Sequence, residues 1–245
     1  KAKRQMNKSG RRFGKTVGCG IKAVEAFCNG ERVLYAAPTA EQVGKFWFEV
    51  TKALREPIDA GVLKQNETEK YIERPGTEIR IKAKTAWNAN SLRGDYASLL
   101  ILEEYQMMTE DTWIEVGAPM LLVNNGTAVF IFTPPSLKSE GVSKAKDPRH
   151  ASKLFKKALE EELSSEETGR KSRWKTLHFT SLDNPTLSKE APDEIVQDMS
   201  EDSYRREILA QDDEIEDSWL VYGKFDEAQC KSKRFDIPET WPVFT

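Results

Sequence analysis

The stretch Ser9–Thr16 reads SGRRFGKT. Its last three residues, Gly14-Lys15-Thr16, are the closing signature of a loop that holds phosphate. In such a loop backbone N–H groups and a helix N-terminus surround the anion. Lysine reaches the terminal phosphates and the hydroxyl residue holds Mg²⁺. Ser9 stands where a glycine usually opens the loop, so Gly10 is expected to supply the flexibility of the turn. Two arginines, Arg11 and Arg12, lie inside. Seven of the first sixteen residues are Lys or Arg and none is acidic. That run is either a solvated terminus or a cationic approach to an anion site.

The sequence on each side bounds the fold. The chain of 245 residues is long enough for one large domain, or one domain and an appendage. Its 38% hydrophobic and 31% charged residues fit a soluble globular protein. A net charge of -3 gives no general pull toward nucleic acid. Cys19, Cys28 and Cys230 show no metal-ligand spacing, and His150 and His178 add none, so a His/Cys zinc site is not expected. Sparse, odd cysteines suit a reducing compartment. No apolar run approaches the roughly 18–20 residues of a membrane span, and no membrane partner is expected. The chain opens on Lys1 and reads as a piece of a longer protein.

Strand and helix patterns alternate. After Thr16, apolar Val17, Ile21, Val24 and Phe27 recur at helical spacing and predict one buried face. Gly18 and Gly20 are expected to let that helix approach a sheet closely. Arg32–Thr39 reads as a buried strand. Thr39 and Gln42 form a capping box opening a helix that is predicted to continue to Gly61. Lys70–Lys84 predicts a hairpin turning at Pro75-Gly76. Ala97–Glu104 and Gly126–Pro135 are further buried strands, the second stopped by a proline pair. A charged helix near Ser152–Leu163 and a strand from Trp174 follow. Beyond Pro185 the chain turns polar and helical, and it closes on loop-like residues 234–245. This order argues for an α/β fold with a mainly parallel sheet. The domain edge is placed near Pro185: a core over 1–185 and a small helical lid and linker over 186–245.

Four groups can carry chemistry. Lys15 and Thr16 close the phosphate loop. Glu103 and Glu104 end an apolar strand, where ligands sit in open α/β sheets. One carboxylate there orients a metal and the next polarises an attacking water; the alternative is a strand running into a polar loop. Arg93, in NSLRG ten residues earlier, can reach charge developing on a transferring phosphoryl group, worth roughly 10³–10⁵ in rate. It can equally be a loop arginine paired with a surface acid. Thr133 either senses the phosphate or satisfies a backbone group at a strand end.

Together GRRFGKT, YAAPT, NSLRG before LLILEE, FTPP and LDNPTL resemble the ATPase domain of the large terminase subunit, which packs DNA into tailed-phage heads. The resemblance runs from Lys8 to about Pro242. It implies a P-loop NTPase fold of the ASCE type, with ATP and Mg²⁺ as cofactors. Ser9, Gly10, Gly14, Lys15, Thr16 and Thr133 are expected to bind the nucleotide, and Arg12 with them by its place in the loop, although no family role follows as cleanly for it; Thr16 and Glu103 are expected to hold the metal. Glu104, Arg93 and Arg11 are implied as catalytic: Glu104 as the acid, Arg11 on phosphate, Arg93 offered to a neighbouring subunit, with Thr133 in coupling. The implied partners are double-stranded DNA, further copies in a ring (a pentamer), a portal protein and a small terminase subunit, in the host cytoplasm. Glu103 replaces the family's usual Asp. The family's adenine-contacting glutamine motif lies upstream of the phosphate loop, where this chain barely extends, and its nuclease domain would begin about where the chain stops, so no nuclease activity is expected.

Two other functions compete with this one. YAAPT also resembles a helicase motif, but only one set of motifs exists, and some 60 residues after Pro185 are too few for a second lobe. A nucleotide-gated binding module would need a guanine reader of the Asn-Lys-x-Asp kind, which Asn7-Lys8-Ser9-Gly10 is not. DNA contacts are poorly marked. Arg74, Arg80, Lys82 and Lys84 are either a phosphate grip or a solvated strand face, and Trp47, Phe48 and Trp87 read as core.

Overall fold

The computed structural model describes residues 2–86, 88–136, 145–188 and 191–212. Trp87, Cys230 and the loop expected at 234–245 lie outside the described residues. In chain order the elements are β1 (Arg4–Ser9), α1 (Lys15–Cys28), β2 (Val33–Ala37), α2 (Ala40–Ala53), α3 (Arg55–Asp59), β3 (Lys64–Asn66), β4 (Tyr71–Glu73) and β5 (Arg80–Thr85). Then come β6 (Leu99–Glu103), a π-helical turn (Thr112–Gly117) running into α4 (Ala118–Met120), β7 (Thr127–Phe132), α5 (His150–Glu167), β8 (Trp174–Phe179), α6 (Ala191–Asp198) and α7 (Glu201–Glu207). The described residues from 2 to 212 belong to one compact unit.

The eight strands make one sheet in the order β3-β4-β5-β2-β6-β7-β1-β8. From β5 to β8 every pairing is parallel; the β3–β4 and β4–β5 pairings at one edge are antiparallel, so β4 alone runs against the other strands. Alternate residues face opposite sides. Leu100, Leu102, Phe130 and Phe132 pack with α5, while Tyr35, Ile101, Val129 and Ile131 pack under α1 and α2. Burial on both faces explains why β2, β6 and β7 read as unbroken apolar runs.

β1 has no such run. RQMNKS lies between β7 and β8 although the N-terminal cations allowed a solvated terminus. Only Met6 and Ser9 are buried outright. The cations are accommodated one by one: Arg4 donates to the Gly126 carbonyl at 3.0 Å and lies 5.0 Å from the Trp113 ring. Lys8 pairs with Asp212 at 2.9 Å over the Phe155 ring. Long cationic side chains thus cover apolar surface with their stems.

Three local expectations change. The helix from Thr39 keeps its capping box, but it ends at Ala53 and a separate turn, α3, carries Pro57, which has no N–H for a continuous helix. In α1 the buried face is Cys19, Gly20, Ala23, Ala26 and Phe27, and Val17 and Ile21 point outward. The reason is close packing of helix on helix: a Cβ on Gly20 would lie 3.2 Å from Cβ of Glu49 in α2, so small residues face inward. Phe48, expected in the core, is exposed, whereas Trp47 is buried.

The cationic face of β5 also has a structural use. Arg80, Lys82 and Lys84 converge on Asp95 at 3.2, 3.8 and 2.8 Å. Burial pushes the Asp95 carboxyl up, but the Lys84 hydrogen bond and the Lys82 and Arg80 charges outweigh it and hold it below its usual range. Asp95→Asn is expected to cost about 2–3 kcal/mol at neutral pH, since it leaves three cations short of their anion. A depressed folded-state pKa contributes stability above the unfolded Asp value that is lost as pH falls through the folded value. Thermal melts from about pH 7 to about pH 2 should therefore show the two proteins converging in acid.

Candidate active site

The phosphate loop leaves the C-terminal end of β1 and enters α1. Two of its residues sit in the left-handed region, Arg12 at φ 60° and Gly14 at φ 97°. Gly14 fits that conformation without strain. Gly10 does not work as a flexible hinge: its φ is not positive, and its bare Cα is needed for contact. A Cβ there would come within 2.4 Å of the Ile208 carbonyl and 2.6 Å of Ser181 Oγ. The loop is held from the other side as well. Ser181 Oγ and Asn184 Nδ2 donate to the carbonyls of Arg11 and Arg12, each at 2.5 Å, and Phe13 stacks on Phe179.

Lys15 is nearly buried and points to the strand ends. Its Nζ donates to Thr133 Oγ1 at 2.5 Å and lies 3.4 Å from the Gly10 carbonyl and 3.5 Å from Glu104 Oε1. Thr133 in turn donates to the Ser9 carbonyl at 3.0 Å. Because β7 lies between β1 and β6, Thr133 stands between the phosphate loop and the acids. Ser9 itself is buried and contributes its backbone.

Glu103 and Glu104 are consecutive, and in a strand they would point to opposite faces. They line one cavity because the backbone turns at Glu104, which adopts φ 54°, ψ 44°. That left-handed geometry costs a non-glycine residue roughly 1–2 kcal/mol. Thr16 Oγ1 donates to Glu103 Oε1 at 2.5 Å, and the Tyr35 hydroxyl donates to Oε2 at 2.7 Å. Burial is the main cause that pushes the Glu103 carboxyl up; these two hydrogen bonds oppose it. Gln106 Nε2 holds Glu104 Oε2 at 2.6 Å.

The cavity these groups share is about 890 Å³. Arg11, Arg12, Gly14, Lys15, Thr16, Glu103, Glu104 and Thr133 all line it. Arg11 is exposed and its guanidinium pairs with Glu207 of α7. Arg93 is not brought in: it is exposed, hydrogen-bonded to Asn90 Oδ1 at 2.7 Å and 3.4 Å from Glu115.

Thr16 and Glu103 offer adjoining hard oxygen donors, and the buried carboxylate is incompletely compensated by the protein. That fits Mg²⁺, which keeps waters and substrate phosphates as its other ligands. No cluster of three or more His, Cys, Asp or Glu side chains placed to hold a metal occurs among the described residues. No described helix is long and apolar enough to cross a membrane.

Four contributors escaped the sequence reading: Tyr35, Gln106, Asn184 and Glu207. Tyr35 left a signal, as a lone phenol in a fully buried strand whose hydroxyl must find a partner. Asn184 and Glu207 reach the loop across 172 and 196 residues, which no spacing reports, and Gln106, only two residues from Glu104, was not marked because a lone amide beside an acid pair carries no pattern.

No model of a known protein family matches the chain, and no curated protein does. Solved structures do. The ATPase domain of the Thermus phage P74-26 large terminase aligns with TM-score 0.64 at 20% identity, over 86% of this chain and 88% of that one. The large terminase of bacteriophage HK97 aligns with TM-score 0.63 at 16% identity, over 86% and 47%. A large terminase from a thermophilic bacteriophage, in complex with ADP, aligns with TM-score 0.59 at 18% identity, over 86% and 48%. The chain thus spans about half the length of the HK97 protein and of the ADP-bound one. Over 86% of its length the chain has the fold of a bacteriophage large terminase ATPase domain.

Proposed function

We propose that this chain binds ATP in the cavity and hydrolyses it, driving double-stranded DNA into a viral prohead. The observation that carries the reading is the convergence of Lys15, Thr16, Glu103, Glu104 and Thr133 on one cavity. Lys15 leaves Thr133 and Glu104 for the β- and γ-phosphates, and the loop N–H groups and α1 N-terminus hold the rest of the anion. Thr16 and Glu103 would hold Mg²⁺, which would neutralise phosphate charge. Glu104, fixed by Gln106, orients the attacking water and takes its proton. The water oxygen bonds to the γ-phosphorus as the bridging bond breaks, and the electron pair leaves on ADP.

The segment after Pro185 serves as the lid in this reading. A phosphate that draws Arg11 away from Glu207 loosens α7 from the loop and passes nucleotide state to the lid. Arg93 acts on the cavity of a neighbouring copy, in a ring that also meets a portal protein and a small terminase subunit in the host cytoplasm. No nuclease activity is assigned to this chain.

Titration with a fluorescent ATP analogue tests the site. Lys15→Ala removes a charged donor and should weaken binding about 10- to 100-fold. Equal binding by both proteins would refute the assignment. Turnover of ATP well above that of GTP is the companion result.

A further inference from the structure

The acid that would hold the metal is engaged at both of its oxygens. Tyr35 of β2 pairs in register with Ile101 of β6, so Glu103 stands two residues ahead of it on the same face of the sheet. The Tyr35 ring is fully buried and stacked on Phe46 of α2, with centroids 3.7 Å apart and planes 2° from parallel. From there its hydroxyl donates to Glu103 Oε2 at 2.7 Å, its one hydrogen bond among the described residues. Thr16 donates to Oε1 at 2.5 Å. Thr16 lines the cavity and Tyr35 does not, so Oε1 is held from the cavity wall and Oε2 from the core.

We propose that Tyr35 sets the metal preference of this site: by engaging Oε2 it leaves Glu103 a single-oxygen donor, which favours Mg²⁺ over Ca²⁺. The inference rests on the nucleotide-binding reading above. Mg²⁺ is small, takes ligand oxygens singly and keeps several waters, whereas the larger Ca²⁺ readily takes both oxygens of one carboxylate. For Glu103 to offer both, Oε2 must leave the Tyr35 hydroxyl. That strands a buried phenol O–H with no acceptor, which is costly. The ring cannot follow the carboxylate, because Phe46 packs on its face and the whole side chain is enclosed. Tyr35 is thus a positioning residue: it touches Glu103, acts through it, and stays outside the cavity wall.

Tyr35→Phe keeps the stacked ring and removes only the O–H. Binding of a fluorescent, non-hydrolysable ATP analogue, titrated separately with Mg²⁺ and with Ca²⁺, reads the metal site without turnover. The parent should reach half-maximal binding at a lower concentration of Mg²⁺ than of Ca²⁺. Tyr35→Phe should melt cooperatively and lower that Ca²⁺-to-Mg²⁺ ratio about 10-fold, the size of effect usual for groups that orient a metal ligand. Glu103→Gln supplies one amide oxygen with or without the hydroxyl. In that background Tyr35→Phe should therefore leave the ratio unchanged. A merely structural bond predicts something else: both metal requirements rise together and the ratio stays at the parent value, which would overturn the inference. A change in ratio that persists in the Glu103→Gln background would overturn it too, since Tyr35 would then not act through Glu103. Analogue binding by the parent that neither cation alters would instead refute the metal site itself.

Discussion

Replacing Glu104 with Gln is expected to leave ATP affinity within a few-fold of the original and to lower turnover about 10²–10⁴-fold. The amide is nearly isosteric, so Gln106 keeps a partner and the cavity keeps its shape. It cannot take a proton from water. Lys15 loses an anion 3.5 Å away, which favours its approach to phosphate rather than opposing it. The backbone separates this role from a structural one. Glu104→Gly relieves the cost of φ 54° and should melt no lower than the parent, yet be as inactive as Glu104→Gln. Turnover by either variant near the parental rate would remove Glu104 from the reaction.

Arg93→Ala is expected to have the largest effect, a fall in turnover of about 10³–10⁵-fold with nucleotide binding intact. The side chain is exposed, and its contact with Glu115 at 3.4 Å is a surface pair worth about 0–1 kcal/mol. Its removal should therefore leave stability almost unchanged, which sets a local packing role apart from a catalytic one. Since Arg93 does not line its own cavity, parental turnover should rise faster than linearly with protein concentration. Mixing Arg93→Ala with Glu104→Gln should restore activity, because the first supplies an intact acid and the second an intact arginine. Strict proportionality to concentration together with an inactive mixture would confine Arg93 to its own chain.

The sequence alone determined the parts whose physics is local. Gly14-Lys15-Thr16 announced a loop and helix start because the loop needs those residues at that spacing. β2, β6 and β7 were legible because strands buried on both faces must be apolar throughout. The capping box at Thr39 was legible because its partners are three residues apart. Tertiary structure alone decided the rest. β1 reads as a cationic tail and is placed only by β7 and β8, while Gly126, Asp212 and two aromatic rings answer its charges. The outward turn of Val17 and Ile21 follows from contact at Gly20, which no helical period reports. Glu103 and Glu104 face one cavity because of a single left-handed residue that strand alternation argues against. Arg11 meets Glu207 across most of the chain, and Arg93 stays outside the cavity. Pattern along a chain records propensity and burial; the approach of distant side chains depends on how the elements pack, and only the folded sheet fixes that.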